Sequence, residues 1–367
     1  MSAVHEATAP EERVLLADYT TLGLGGPAKT LVTARGTDEL VAAVAAADAA
    51  GEPVLVLGGG SNLVVADDGF PGTVVHADAR GVSFEEAGAD PETGEDVVLL
   101  RAEAGVEWDP LVERTVAEGL SGIEFLSGIP GRVGSTPIQN VGAYGQDVSQ
   151  TVREVLVYDR RTGERRVMGN ADCGFTYRDS VFKGDDRYVV CEVVFALCRS
   201  PLSRPIRYAE VARALGTEAG ARVALEQARE TVLGLRRGKG MVLDPADPDT
   251  RSAGSFFTNP VLSAAEFEAV RERAAALLGP DVEVPGHPGA AGDVKLSAAW
   301  LIDRAGFTKG YGDGPARISG KHTLALTNPG GASTRDLLEL AREVRAGVER
   351  AFGVRLVNEP VMVGVSL

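Results

Sequence analysis

A chain of 367 residues is longer than one hydrophobic core usually serves, so its length predicts two or three packed units. The formal net charge of −15 disfavours nucleic acid and anionic membrane surfaces as partners, because the summed field repels phosphate groups. Three cysteines without a CxxC pair and four scattered histidines argue against a disulfide framework and against a metal site.

The sequence gives no sign of export or membrane insertion. The N-terminal stretch lacks a basic segment followed by an apolar core, and no apolar run approaches a spanning length of about eighteen residues. An odd number of cysteines suits a reducing compartment. We therefore expect a cytoplasmic protein, and no feature predicts an obligate protein partner.

The first predicted elements alternate between helix and strand. Thr37 and Asp38 are typical helix caps, and the apolar helix face that follows them stops before Gly51. Two short apolar runs, at 54–57 and 73–78, predict buried strands. This opening predicts an α/β subdomain.

Beyond residue 81 longer strands dominate, in a pattern typical of a mixed α+β unit. The predicted strands lie near Val97, at 152–159 and at 188–199. One helix is predicted to start at Asp109, and another is predicted at 224–237. The segment 89–96 is predicted to be an exposed hairpin insertion.

A turn-rich segment at 244–254 predicts a loop near a domain boundary. The part that follows it predicts three helices and two strands. The helices are expected at 264–278, 296–305 and 334–352, and the strands at 322–328 and 354–365.

The first glycine-rich loop follows the predicted strand at 54–57. Gly58, Gly59 and Gly60 lack Cβ atoms, so their backbone can approach an anion closely, and Ser61 and Asn62 add donors suited to a pyrophosphate. A tight turn between strand and loop would need the same glycines and is the alternative interpretation. The loop lacks the lysine of a Walker motif, which disfavours a P-loop ATPase.

A second loop, at 127–145, packs five glycines and two prolines into nineteen residues, as suits backbone wrapped around a ligand. The motifs TTLGLGGPA, LGGGSNLV and LSGIPGRVGSTPIQNVGAYGQ occur in this order. Together they resemble the FAD-binding half of the UDP-N-acetylenolpyruvoylglucosamine reductase (UDP-N-acetylmuramate dehydrogenase) family. The resemblance extends over about 18–365.

The resemblance implies an α+β fold in which two α/β subdomains form an FAD-binding fold of the vanillyl-alcohol-oxidase type. A third α/β domain would bind the substrate. The implied boundaries are 18–80 for the first subdomain, completed by the C-terminal strand at 354–367, 81–235 for the second, and 236–353 for the substrate domain.

The resemblance also implies which residues contact FAD. Those expected at the pyrophosphate are Gly58, Gly59, Gly60, Ser61, Asn62 and Leu63. Those expected along the ribityl chain and the isoalloxazine are Ser127, Gly128, Ile129, Pro130, Gly131, Gly134, Ser135, Gln139, Asn140, Gly142, Ala143, Tyr144 and Gly145.

The segment YRDSVFK places Arg178 between polar and aromatic neighbours. A guanidinium offers a planar fork of donors that suits a carboxylate. The alternative is a surface arginine paired with Asp179. The segment resembles the catalytic-arginine motif of the family, which implies that Arg178 stabilises charge developing on the substrate carboxylate.

Two further segments resemble catalytic motifs of the family. AGSFFTNP implies that Ser255 is the proton donor, although a serine there could equally cap a helix or turn. VRLVNEPVMVG implies that Glu359 completes the catalytic set, although a strand-end glutamate in solvent is the alternative.

The implied reaction has two halves. NADPH reduces FAD, and the flavin then delivers hydride to the C3 carbon of the enolpyruvyl group while Ser255 protonates the C2 carbon. The product is UDP-N-acetylmuramate, a precursor of peptidoglycan and hence of cell-wall growth and division. One alternative is another flavin oxidoreductase of the same fold with a different substrate, and another is a non-catalytic nucleotide-binding protein.

The resemblance further implies contacts with the UDP-sugar substrate. Any of these side chains could also be an ordinary surface or helix-end group. Tyr208 and its neighbours resemble the longer form of the family, which has an extra loop that closes over the substrate. The expected substrate residues are Tyr208, Arg236, Lys239, Asn259 and Lys295.

Overall fold

A computed structural model of the chain describes residues 11–12, 14–90, 94–289 and 292–367. The chain forms two compact units. Apart from the N-terminal residues before 15, the first unit comprises 28–60 and 71–237, and the second comprises 15–27, 61–70 and 238–367. The division into three domains stays a prediction.

The described residues of the first unit form two principal sheets. The smaller one has four strands, in the order Glu11–Glu12, Ala28–Ala34, Phe70–Ala77 and Val54–Leu57, and its last two strands are parallel. The strand Val54–Leu57 ends at the first glycine loop, as predicted from its apolar run.

The larger sheet is antiparallel. Its strands lie in the order Glu164–Gly169, Val152–Asp159, Tyr188–Arg199, Asp96–Glu103 and Val82–Ala89, and Leu120–Ser121 pairs with the end of the long central strand. A small hairpin, Gly142–Ala143 with Gln146–Asp147, forms at the end of the second glycine loop. The insertion at 89–96 joins two strands of the sheet, but its residues 91–93 lie outside the described residues.

The described residues of this unit form four α-helices, and the second and fourth of them hold the second glycine loop. They are α1 (Thr37–Ala49), α2 (Trp108–Ala117), α3 (Ala209–Leu215) and α4 (Leu225–Gly238).

The predicted cap of α1 is wrong. Gly36 is the N-cap, and Thr37 is already the first helical residue. The hydroxyl and the backbone N–H of Thr37 both donate to Oε1 of Glu103, at 3.1 and 3.3 Å. The carboxylate of Glu103, at the end of a strand, therefore accepts the first free N–H of the helix. Thr37 and Asp38 were predicted to cap the helix instead.

The described part of the second unit is built around three α-helices with a common core. They are α5 (Ala264–Leu278), α6 (Ala298–Arg304) and α7 (Thr334–Phe352). Its strands are short: Leu63–Val65, Val261–Leu262, Gly286–Pro288, Val294–Leu296, Arg317–Ile318, Leu326–Thr327 and Val361–Val363. The core packs Phe256, Phe257 and Leu22 with apolar side chains of α6 and α7.

Two predicted strands of this unit are much shorter in the structure. The segment 322–328 keeps only Leu326–Thr327 as strand, because the N–H of Ala325 bonds back to His322 in a turn. The segment 354–365 keeps only Val361–Val363, which pairs in parallel with Leu63–Val65. Among the helices that the structure describes, none is long and apolar enough to cross a membrane.

Candidate active site

The two glycine loops touch each other inside the first unit. A Cβ added to Gly58 would lie 2.7 Å from Oγ of Ser135, and one added to Gly59 would lie 2.8 Å from Cα of Gly131. A side chain at position 59 would meet the backbone of Gly131 and force the loops apart, whereas one at position 58 would displace the hydroxyl of Ser135. One ligand that contacts the first loop can therefore also contact the second, as an extended dinucleotide requires.

An ion pair between a buried arginine and a half-buried aspartate holds the start of the second loop. Arg229 of α4 donates to both carboxylate oxygens of Asp109 in α2, at 2.6 and 3.0 Å. The same carboxylate accepts the N–H of Gly128 at 2.6 Å. Asp109 thereby fixes the start of the loop, a role that its position in the sequence did not reveal.

Further along the loop, the backbone takes conformations that side chains seldom adopt. Asn140 and Tyr144 have φ of 46° and 50°, in the left-handed region. The side-chain amide of Asn140 donates to the carbonyl of Thr176 at 2.9 Å and accepts the N–H of Ser149 at 3.0 Å. The predicted FAD residue Asn140 thus also fixes the neighbouring segment that carries Arg178.

Arg178 lies at the tip of a two-residue turn closed by Thr176 and Asp179. Its φ is 57°, and one of its guanidinium N–H groups donates to the carbonyl of Gly142. A Cβ on Gly142 would lie 3.0 Å from Nη1 of Arg178, so glycine leaves room for the guanidinium there. The structure therefore brings the predicted catalytic arginine against the predicted flavin loop.

Tyr144 and Tyr208 form an aromatic pair in the same unit, with ring centroids 5.6 Å apart and planes at 89°. Partial burial raises the pKa of Tyr144 to about 12. It also raises the pKa of Tyr208, although 46% of that residue stays exposed. Burial lowers the pKa of Arg236, which Tyr144 and Asp109 partly oppose. The predicted substrate residues Tyr208 and Arg236 both lie near the predicted flavin residue Tyr144.

The second unit brings Ser255 and Glu359 together through backbone pairing. The N–H of Glu359 donates to the carbonyl of Phe256 at 2.8 Å, and the N–H of Thr258 donates to the carbonyl of Val357 at 3.0 Å. These bonds pair the AGSFFTNP segment with the NEP segment, across about a hundred residues of chain. Both Ser255 and Glu359 are half-buried.

The C-terminal segment also pairs with the polar end of the first glycine loop. Val361 donates its N–H to the carbonyl of Asn62 at 2.9 Å, and the amide of Asn62 donates to the carbonyl of Glu359 at 3.5 Å. Ser61, Asn62 and Leu63 belong to the second unit, whereas Gly58 to Gly60 belong to the first. Glu359 therefore has the flavin-loop residue Asn62 on one side and the serine segment on the other.

Asn259, Lys295 and Lys239 also lie in the second unit. The amide oxygen of Asn259 accepts the N–H of Ala298 at 2.9 Å, at the start of α6. Lys295 is on the strand Val294–Leu296, paired with Val261, two residues beyond Asn259. Lys239 follows α4 and is half-buried.

Two sequence profiles match separate parts of the chain. A profile described as "FAD binding domain" covers residues 28–169, and one described as "UDP-N-acetylenolpyruvoylglucosamine reductase, C-terminal domain" covers residues 245–363. The first contains the glycine loops of residues 58–63 and 127–145, and the second contains Ser255 and Glu359.

Curated relatives and a solved structure agree with these profiles. The UDP-N-acetylenolpyruvoylglucosamine reductase of Thermobifida fusca is 64% identical over 98% of this chain and 99% of its own length. The Streptomyces coelicolor enzyme of the same name is 60% identical over 96% of this chain and 90% of its own length. The crystal structure of the Thermus caldophilus reductase matches with a TM-score of 0.63 and 28% identity, over 96% of this chain and 98% of that chain.

These matches extend over nearly the whole chain and include both units. The α+β fold and the FAD-binding domain expected from the sequence are confirmed. This chain belongs to the UDP-N-acetylenolpyruvoylglucosamine reductase family.

Proposed function

We propose that this protein reduces UDP-N-acetylenolpyruvoylglucosamine to UDP-N-acetylmuramate, with FAD as cofactor and NADPH as co-substrate. The observation that carries the proposal is the pairing of the Ser255 segment with Glu359 in one unit. Another flavin oxidoreductase of this fold would keep the glycine loops without this pairing. The identity to named reductases along the whole chain supports the same activity.

The residues present suit FAD. The cradle formed by Gly58, Gly59, Gly131 and Ser135 is too narrow for added side chains, so backbone groups are close to whatever it holds. When bound, FAD supplies the hydride chemistry that no side chain of this protein can perform. The chain's own residues then have to orient the substrate and manage charge and proton.

We assign the proton to Ser255, whose hydroxyl gives its proton to the C2 carbon of the substrate. A serine hydroxyl is a weak acid, so a neighbouring group has to stabilise the alkoxide or return a proton to it. Glu359 is the candidate group, because its backbone is bonded to the residue after Ser255. Proton return and electrostatic support both suit a carboxylate in this position.

Arg178 has the complementary task of stabilising negative charge on the substrate carboxylate. Adding hydride to an enol ether conjugated with a carboxylate moves charge onto the carboxylate oxygens. A guanidinium has five N–H donors in a fixed plane, and the bond to Gly142 engages one of them. Its position therefore suits recognition of a planar carboxylate.

The residues proposed to bind the UDP-sugar are those that the resemblance implies. Tyr208, Arg236, Lys239 and Lys295 would bind the UDP-sugar, three of them as cations toward the diphosphate. Asn259 would donate through its NH2 group, because Ala298 already bonds to its oxygen. A cytoplasmic location is part of the proposal, supported by three buried cysteine thiols that form no disulfide.

The test is an anaerobic half-reaction experiment on the FAD-loaded protein. The flavin is reduced with NADPH, the enolpyruvyl UDP-sugar is added, and flavin absorbance is followed for wild type and Ser255→Ala. We expect rapid reoxidation in wild type and a loss of about 10²- to 10⁴-fold in the variant, the usual contribution of a general acid. Reduction by NADPH should be unchanged.

Thr258→Val is the matched control, since it removes a nearby hydroxyl that bonds to the carbonyl of Val357. It should reoxidise at the wild-type rate. A wild-type protein that is reduced normally but never reoxidised by this substrate would rule out the proposed activity. Normal reoxidation in Ser255→Ala would rule out only the assigned acid.

A further inference from the structure

Arg178 occupies a backbone conformation that arginine does not favour. It is the second of the two central residues of a tight turn and has φ of 57°, a place usually taken by glycine or asparagine. A left-handed conformation is disfavoured for a residue with a Cβ by its own steric clash. Contacts outside the turn therefore have to hold this conformation.

Lys183 supplies such a contact. Its ammonium group donates to the backbone carbonyl of Arg178 itself, at 2.7 Å. A charged donor makes a stronger hydrogen bond than a neutral one, and this bond restrains the peptide plane that follows the strained residue. Lys183 thus acts on the backbone of Arg178 and not on its guanidinium.

The chain around Lys183 is itself anchored. Phe182 is buried, and its ring meets that of Tyr188 edge-on at a centroid distance of 6.1 Å. The hydroxyl of Ser180 donates to the carbonyl of Ile138 in the flavin loop at 2.6 Å, and the N–H of Lys183 donates to the carbonyl of Ser180 at 3.2 Å. These contacts restrain the backbone around Lys183, so its side chain reaches Arg178 from a fixed position.

These contacts connect Lys183 to the guanidinium. With its carbonyl held by Lys183, Arg178 directs its side chain to Gly142 of the flavin loop. Losing the lysine bond would free the turn to relax toward commoner backbone angles and move the guanidinium. The sequence motif YRDSVFK contains Lys183 but gives no role to it.

We infer that Lys183 is a positioning residue for hydride acceptance, which holds Arg178 in its left-handed conformation so that the guanidinium meets the substrate carboxylate. This inference rests on the proposed role of Arg178. Lys183 need not touch the substrate for it to hold. Its effect should therefore vanish when Arg178 is removed.

The test uses FAD-loaded protein reduced with dithionite, so that only reoxidation by the enolpyruvyl UDP-sugar is measured. Lys183→Met should lower the limiting rate about tenfold, equal to about 1.4 kcal/mol, with FAD content unchanged. Lys183→Arg should regain most of the rate because it restores a charged donor. Lys29→Met is the matched control, since Lys29 pairs with Glu52 on the surface.

A double-mutant cycle separates positioning from direct action. Arg178→Met should be slow, and adding Lys183→Met should slow it no further. If the rate of the double variant falls by the product of the two single losses, the inference is overturned. It is also overturned if Lys183→Met reacts at the wild-type rate while Arg178→Met is slow. If Lys183→Met does not fold, Lys183→Leu decides in its place, because leucine also lacks a donor. We expect a slow rate, and a wild-type rate would contradict the inference.

The same data distinguish this inference from the proposed function. A wild-type protein that the substrate cannot reoxidise would overturn the proposed activity and this inference with it. If the wild type is reoxidised normally and Arg178→Met slowly, but Lys183→Met reacts at the wild-type rate, only the inference about Lys183 is overturned.

Discussion

Among the residues that the structure describes, positive φ occurs outside glycine at Asn140, Tyr144 and Arg178. All three belong to the predicted flavin loop or the predicted catalytic motif, and they lie in the same unit. Unfavourable backbone conformations persist only where surrounding contacts fix them, which is the requirement of a preorganised site. Here those contacts include the two hydrogen bonds of the Asn140 side-chain amide and the hydrogen bond from Lys183 to the carbonyl of Arg178.

Tyr144 offers a test of burial at the residue scale. Its pKa is raised to about 12, mainly by burial, from an ordinary value near 10. Between these two values the unfolded chain loses the proton and the folded chain keeps it, so wild-type stability should fall as the pH rises from about 10 to 12. Tyr144→Phe lacks this group and should lack that part of the slope.

The measurement is the free energy of unfolding of both proteins in urea at pH 8, 10 and 11. We expect a constant difference below pH 10 and a relative loss of about 1 kcal/mol in wild type at pH 11. The pH 8 data serve as the control for the mutation itself. Parallel curves throughout would contradict a pKa of Tyr144 near 12 in the folded protein.

At the scale of elements, helix ends are held by residues distant in sequence. The first N–H groups of α7, those of Thr334 and Arg335, donate to the carboxylate of Asp67 at 2.7 and 3.1 Å. The hydroxyl of Thr334 also donates to the carbonyl of Val65 at 2.6 Å. These bonds attach α7 to the segment that follows the first glycine loop.

Removing this cap should destabilise the protein. Asp67→Ala leaves two helix N–H groups without their carboxylate and should lower the free energy of unfolding by about 1 kcal/mol, whereas Asp67→Asn keeps an acceptor and should cost less. Urea unfolding monitored by circular dichroism measures both. Asp68→Ala, at the next position, should be near neutral, and an equal loss there would contradict the specific role of Asp67.

For the whole molecule, the cofactor should contribute to stability as well as to chemistry. A ligand that binds only the folded protein adds about 2.7 kcal/mol to the free energy of unfolding at a hundred times its dissociation constant. We expect FAD to raise the unfolding temperature of the flavin-free protein accordingly, measured by calorimetry. Riboflavin, which lacks the pyrophosphate and adenine, should stabilise less at the same concentration, and equal stabilisation would contradict a pyrophosphate contact at Gly58 to Asn62.

Local signals in the sequence determined several elements with accurate bounds. The helices predicted near 264–278 and from 334 to about 352 agree with α5 and α7. Their starts carry local capping boxes, Ser263 with Glu266 and Ser333 with Asp336. The strand at 54–57 and the glycine loop after it were equally readable, although only Leu57 of the strand is fully buried. The motifs also sufficed to predict the family and the FAD-binding domain, which the comparisons confirm.

The tertiary structure alone decided which distant residues meet. Glu103 caps α1, Asp109 with Arg229 holds the flavin loop, and Glu359 pairs beside Ser255. The residues in these contacts lie 66, 120 and about a hundred positions apart, respectively. No local sequence pattern encodes which distant residue will be the partner. Sequence periodicity reports which face of an element is apolar, whereas a long-range polar contact depends on where the folded chain returns, so only the packed structure could reveal it.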